Sequence, residues 1–173
     1  MGQSTKLGPL ILAKVLEQVE RAERLLELAP PDRLDWRPEA LDGEGRPAWS
    51  LAQLLAHLAE ALAGFCAALH GAYPERLAHF QQLRGMPREH QSAIEETRRR
   101  LRLYRERIEE GFALVTDEDL ARLVPTVFVP QGETVLTLLL GNLEHFINHK
   151  YQVFTYLKRM GVGVESQDLY HWR

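Results

Sequence analysis

The stretch Trp49-Ser50-Leu51-Ala52-Gln53-Leu54-Leu55-Ala56-His57-Leu58-Ala59-Glu60-Ala61-Leu62-Ala63-Gly64-Phe65-Cys66-Ala67-Ala68-Leu69 decides the fold. Ser50 followed three residues later by Gln53 is a capping-box signal for a helix start. Leu51, Leu54, Leu55, Leu58, Leu62, Phe65 and Leu69 then recur at helical spacing, and Gly71 to Pro74 closes the pattern. On a wheel of ~100° per residue, Ser50, Gln53, His57, Glu60, Ala61, Gly64 and Ala68 gather within about 60° of His57. Small residues there leave room for a partner helix or a cleft. His57 therefore sits at the edge of the apolar face.

Working outward, Leu12, Val15, Leu16, Val19, Ala22 and Leu26 predict a first helix ended by Ala29-Pro30-Pro31. Residues 32–48, with Pro38, Gly43, Gly45 and Pro47, read as a loop carrying Trp36. Beyond the quoted stretch, residues 75–89 read as partly helical. A third helix starts near Arg88 and runs through Ile94, Leu101, Tyr104 and Ile108 to about Leu114. Thr116-Asp117-Glu118-Asp119 reads as a cap and a short helical turn. Val127, Phe128 and Val129, between two prolines, predict a short extended pair within 124–132. Thr134 caps a last helix that reaches Met160 and stops at Gly161. The pattern is all-α: one domain over residues 1–173, a four-helix bundle of roughly antiparallel neighbours with long loops.

The last helix carries the second chemical signal. Gly141, Asn142, His145, Asn148, His149, Gln152 and Tyr156 fall within about 60° of His145. Leu136, Leu139, Leu143, Ile147, Val153, Phe154 and Leu157 lie elsewhere around the helix. A stripe facing water would be rich in Lys, Glu and Arg. This one is His, Asn and Gln, the composition of a polar cavity lining. Lys150 falls among the apolar positions, where only a stem snorkelling to the surface would accommodate it.

His145 and His149 stand one turn apart, a spacing at which two imidazoles grip one ion, and His57 completes a trio from the facing helix. Three neutral imidazoles suit zinc, nickel, cobalt or ferrous iron and leave coordination positions open. A divalent ion there would bring bound water or thiol to its nucleophilic form near neutral pH. Glu60 is the candidate catalytic carboxylate, and Asn142, Asn148 and Gln152 are the candidates for orienting the ligands. His70 lies about 140° round its helix from His57. His79, His90 and His171 fall in loops or at ends, where surface roles are expected.

Composition narrows the function classes. A hydrophobic fraction of 45% and a charged fraction of 26% place the chain among globular proteins. The net charge of -3 speaks against nucleic acid as a partner. The local exception, Arg98, Arg99, Arg100, Arg102, Arg105 and Arg107, alternates with Glu95, Glu96, Glu106, Glu109 and Glu110, as solvated helix faces do. The single cysteine, Cys66, excludes an intramolecular disulfide and reads as a core thiol. The N-terminal residues lack a signal-peptide pattern, and Met1-Gly2 is followed by Lys6 where myristoylation wants Ser or Thr. The Leu138-Leu139-Leu140 run is too short for a membrane span. A cytoplasmic protein with no membrane or nucleic-acid partner is the expectation.

Leu34-Asp35-Trp36-Arg37-Pro38, then Trp49 to Glu60, resemble the DinB/YfiT-like superfamily. Asn142-Leu143-Glu144-His145-Phe146-Ile147-Asn148-His149-Lys150-Tyr151-Gln152 and Tyr156-Leu157-Lys158-Arg159-Met160-Gly161 resemble that family's last helix. The resemblance implies an up-down-down-up bundle, often a homodimer, with a metal held by His57, His145 and His149. The family's Arg-Gly after the last histidine is replaced by Lys150-Tyr151, so no subfamily follows. Functionally it implies a metal-dependent thiol S-transferase-like enzyme acting on a small-molecule substrate, with a low-molecular-weight thiol as partner. The alternatives are a metal-dependent hydrolase and a non-catalytic, stress-associated metal-binding bundle.

Overall fold

In the computed structural model, residues 6–39, 45–85, 90–127 and 129–171 are described. The Gly43 loop position, the Arg88 helix start, Phe128 and the Met1-Gly2 motif lie outside them. The capping box forms as the sequence predicts: Ser50 Oγ accepts from Gln53 N at 3.2 Å, and Gln53 Oε1 accepts from Ser50 N at 2.9 Å. From that cap α2 runs Leu51–Ala61 and α3 runs Ala63–Ala72. The single helix expected here is thus divided at Leu62, which joins the two halves in helical backbone conformation. Leu54, Leu55, Leu58, Leu62, Phe65 and Leu69 are all buried, forming the centre of the core.

α1 spans Leu7–Leu28 and α4 spans Ile94–Phe112. α4 therefore begins after the predicted start. A 3-10 turn at Ala78–Gly85 precedes it, within the segment read as partly helical. Thr116 and Asp119 cap one another ahead of the 3-10 turn Asp119–Ala121. The extended pair exists, but its strands are β1, Leu123–Val124, and β2, Glu133–Thr134, paired antiparallel. Val127 lies between them, 89% exposed. The Val-rich run is the loop because its two prolines remove donors a ladder would need.

α5, Val135–Arg159, starts on the predicted Thr134 cap and stops at Gly161, whose φ of 82° needs no side chain to be accommodated. Its fully buried seam is Val135, Leu139, Phe146, Lys150, Val153 and Leu157, whereas Leu136, Leu143 and Ile147 are half-buried. A short α6, Ser166–Leu169, is an element the sequence pattern did not reveal.

Contacts at the ends give the topology. The start of α1 meets the end of α4, with Gly8 against Val115, and Leu7 N donates to Asp117. Ser92 N, just before α4, donates to Ala52 O at the start of α2. Tyr156 OH, near the end of α5, donates to Trp49 O, just before α2. Arg33, after α1, donates to Met160 O, after α5. α1 and α5 therefore run together, and α2–α3 and α4 run together in the opposite sense, giving up-down-down-up. α1 packs chiefly on α4 and α5, and α2–α3 pack on the same two helices. Two of these four neighbouring pairs are parallel, not antiparallel, because the chain returns the length of the bundle between α3 and α4, so that α4 starts at the same end as α2.

Leu51–Ala72 is, among the described residues, the segment long and apolar enough to cross a membrane. Of its apolar window, 67% is buried in the bundle. Its hydrophobicity is that of a central helix packed on two others.

Candidate metal centre

The core seams bring one flank of α2 against one flank of α5. Just beyond α2, Gly64 of α3 backs onto α5, where a Cβ would lie 1.8 Å from Asn142 Oδ1. Asn142 is held there by its own helix, Nδ2 donating to Leu138 O at 2.7 Å. One turn further along α5 comes His145, and another turn brings His149, facing His57 on α2.

The three imidazoles meet. One ligand atom from each of His57, His145 and His149 lies within 4.8 Å of the other two. Ring centroids stand 4.3 Å apart for His57 and His149, 4.5 Å for His145 and His149, and 5.5 Å for His57 and His145. Metal–nitrogen bonds of ~2.1 Å would space the donors about 3.4 Å apart. His57 and His149 are half-buried and His145 is exposed, so the cluster is open to solvent on one side. Among the described residues it is the group of three or more His, Cys, Asp or Glu donors close enough to hold an ion.

The local environment favours the neutral form of two of the donors, His57 and His149. Burial, followed by the nearby His149 and His145, pushes the His57 pKa down to about 4. Burial also lowers that of His149, against the opposing hydrogen bond from Gln152. Gln152 Oε1 can only accept, so His149 Nδ1 donates to it at 2.8 Å and Nε2 is left for an ion. Of the three orienting candidates, Gln152 alone contacts a ligand histidine in this way. Asn142 is engaged with Leu138 and Gly64, and Asn148 is exposed.

Glu60 is not part of the donor cluster. It lines a small recess of about 40 Å³ with Trp49, Gln53, His57 and His90. Trp49 carries no expectation from the sequence, and His90, expected in a surface role, is exposed but also lines the recess. Trp49 stands 4.8 Å from the His57 ring and 6.3 Å from the His149 ring, nearly parallel to the latter. Its register was legible: Trp49, Gln53 and His57 follow one another at four-residue steps. His90 carried no such signal, because only the docking of Ser92 on Ala52 brings its loop to α2. An aromatic wall continues outward, with Trp36 edge-on to Tyr156 at 5.3 Å.

The remaining sequence candidates are placed elsewhere. Cys66 is buried in the core, and burial pushes its thiol pKa up to about 12. His79 pairs with Glu110 at 2.9 Å, and His70 is buried in α3. The α4 arginines pair mainly along their own helix, Arg98 with Glu95, Arg99 with Glu96 and Arg107 with Glu110. Arg100, 3% exposed and paired with Glu96, departs from the solvated face expected of it. Lys150 corrects the snorkelling expectation: it is 2% exposed, and its ammonium is held inside the protein.

No curated protein matches the sequence. Among solved structures, the chain is similar to a DinB-like protein, YjoA, from Bacillus subtilis, with a TM-score of 0.65 and 19% identity. The match covers 90% of this chain and 94% of that one. At that identity the likeness is one of fold. The model of the DinB superfamily matches residues 16–153, a span that includes His57, His145 and His149 and most of the bundle. The chain belongs to the DinB superfamily.

Proposed function

We propose that His57, His145 and His149 hold one divalent metal ion, and that the protein is a metal-dependent enzyme of the thiol S-transferase type. The observation that carries this is the convergence of three imidazole donors within 4.8 Å, from two helices, on a face open to solvent. The donor set fits the ion. All three ligands are imidazole nitrogen donors, and Gln152 fixes the tautomer of one of them. Three protein ligands leave room for an exogenous one, the pattern of catalytic sites rather than closed structural ones.

When bound, a divalent ion supplies Lewis acidity that makes a thiol or water nucleophilic near neutral pH. The chain's own contribution is placement. α2 and α5 set the three imidazoles, Gln152 orients His149, and Trp49 walls one side against solvent.

Elemental analysis of purified protein, with the triple histidine variant as control, tests the metal. Protein loaded with zinc, nickel, cobalt or ferrous iron and incubated with small thiols and electrophiles tests the reaction. Turnover by wild type and its loss in His149→Ala is the expected result. If no thiol–electrophile pair turns over faster with wild type than with His149→Ala, the transferase reading fails. Faster turnover only in a hydrolase panel would assign water as the nucleophile. A stoichiometric ion with no turnover in either assay would leave the protein as a non-catalytic metal-binding bundle.

A further inference from the structure

The recess beside His57 carries chemistry that the metal does not use. Its walls among the described residues are Trp49, Gln53, His57, Glu60 and His90, none of them a lysine or an arginine. Glu60 is half-buried there, and no hydrogen bond or ion pair from a described residue engages its carboxylate. This contrasts with α4, where Glu95, Glu96, Glu109 and Glu110 all pair with arginines. Trp49 is 45% exposed and is fixed at the mouth by its position before the Ser50 cap and by the Tyr156 hydroxyl on its carbonyl. A carboxylate and an indole converge on one small hollow. About 40 Å³ holds a few waters or one small polar headgroup.

We propose that this recess receives an ammonium group of the substrate, with the Glu60 carboxylate and the Trp49 ring as its contacts. The inference rests on the metal and thiol reading above and names the substrate class of that site: a small amine-bearing thiol. A cation gains a charge-assisted hydrogen bond from Glu60 and the attraction of the indole face. A carboxylate-bearing thiol meets like charge, and a hydroxyl-bearing one gains only a neutral hydrogen bond. His57 and Glu60 are three residues apart on one helix face and line the same recess, so the carboxylate flanks the donor cluster. Glu60, read from the sequence as the catalytic carboxylate, becomes a substrate contact.

The test uses cobalt(II)-loaded full-length protein titrated with cysteamine, 2-mercaptoethanol and 3-mercaptopropionate, each followed by the thiolate-to-cobalt absorption. The informative quantity is the ratio of cysteamine to 2-mercaptoethanol affinity in wild type divided by that ratio in Glu60→Gln, which cancels the differing acidities of the thiols. We expect this quotient to be about ten. Trp49→Phe should weaken cysteamine binding alone, and Glu60→Lys should shift preference toward 3-mercaptopropionate. Unchanged cobalt spectra in the variants report an intact fold and metal site. A quotient near one with normal cobalt binding overturns the ammonium assignment and leaves the metal reading standing. Absence of cobalt binding by wild type overturns both.

Discussion

Lys150 shows how much one residue can owe to distant chain segments. It occupies a core position of α5 in line with Phe146 and Val153, where an aliphatic side chain would be expected. Its Nζ donates to Gln18 Oε1 at 2.6 Å and to Leu169 O at 2.8 Å, and the Tyr170 ring lies 6.0 Å from it. Burial lowers its pKa to about 8, so the ammonium depends on those acceptors. Gln18→Ala is expected to cost about 2 kcal/mol in urea unfolding, because a buried cation loses one of its partners. Gln18→Ala with Lys150→Met should cost less than the sum of the two single changes, since no unpaired charge then remains. Equal additivity in that cycle would show that the two side chains do not depend on each other.

At the scale of elements, the site depends on how closely α5 approaches α2–α3. Gly64 lets the Asn142 side chain occupy the space a Cβ would take, one turn before His145. Gly64→Ala gains up to about 1 kcal/mol in helix propensity but overpacks this contact by about 1–3 kcal/mol, so a net loss near 1 kcal/mol is expected. The displacement should also weaken metal binding, because His145 rides on the same turn sequence. Removing the obstructing side chain in Gly64→Ala with Asn142→Ala should restore both thermal stability and metal affinity. Isothermal titration with zinc and a denaturation curve for the three variants check the two effects separately.

For the whole molecule, the candidate centre joins two helices that are distant in sequence. His57 comes from α2, and His145 and His149 come from α5. A metal bound only by the folded form must therefore stabilise it. At free metal 100-fold above Kd the gain is about 2.7 kcal/mol, roughly 8 °C in Tm for a chain of this size. Calorimetry with and without chelator should show this rise in wild type and its absence in His145→Ala. A metal-independent Tm in wild type would remove the bridge between the two helices. The opposite side of α5 has its own tie: Lys150, Arg24 and Arg21 hold the α6 segment through Leu169 O, Asp168 and Gln167 O.

Local chemistry in the sequence determined the helix starts at Ser50 and Thr134, the stop at Gly161, the apolar face of α2–α3, and the stripe bearing His145 and His149. These are legible because capping and helical periodicity act over a few residues. The meeting of His57 with that stripe was anticipated from matching faces, but its distances come only from the packed helices. Tertiary structure alone decided the rest: the break at Leu62, the strands flanking the Val127 loop, α6, the entry of His90 beside His57, and the burial of Lys150. The entry of His90, the docking of α6 and the burial of Lys150 depend on partners far along the chain. For Lys150 the acceptors lie on Gln18 and Leu169, and no window of sequence around position 150 contains the first of them.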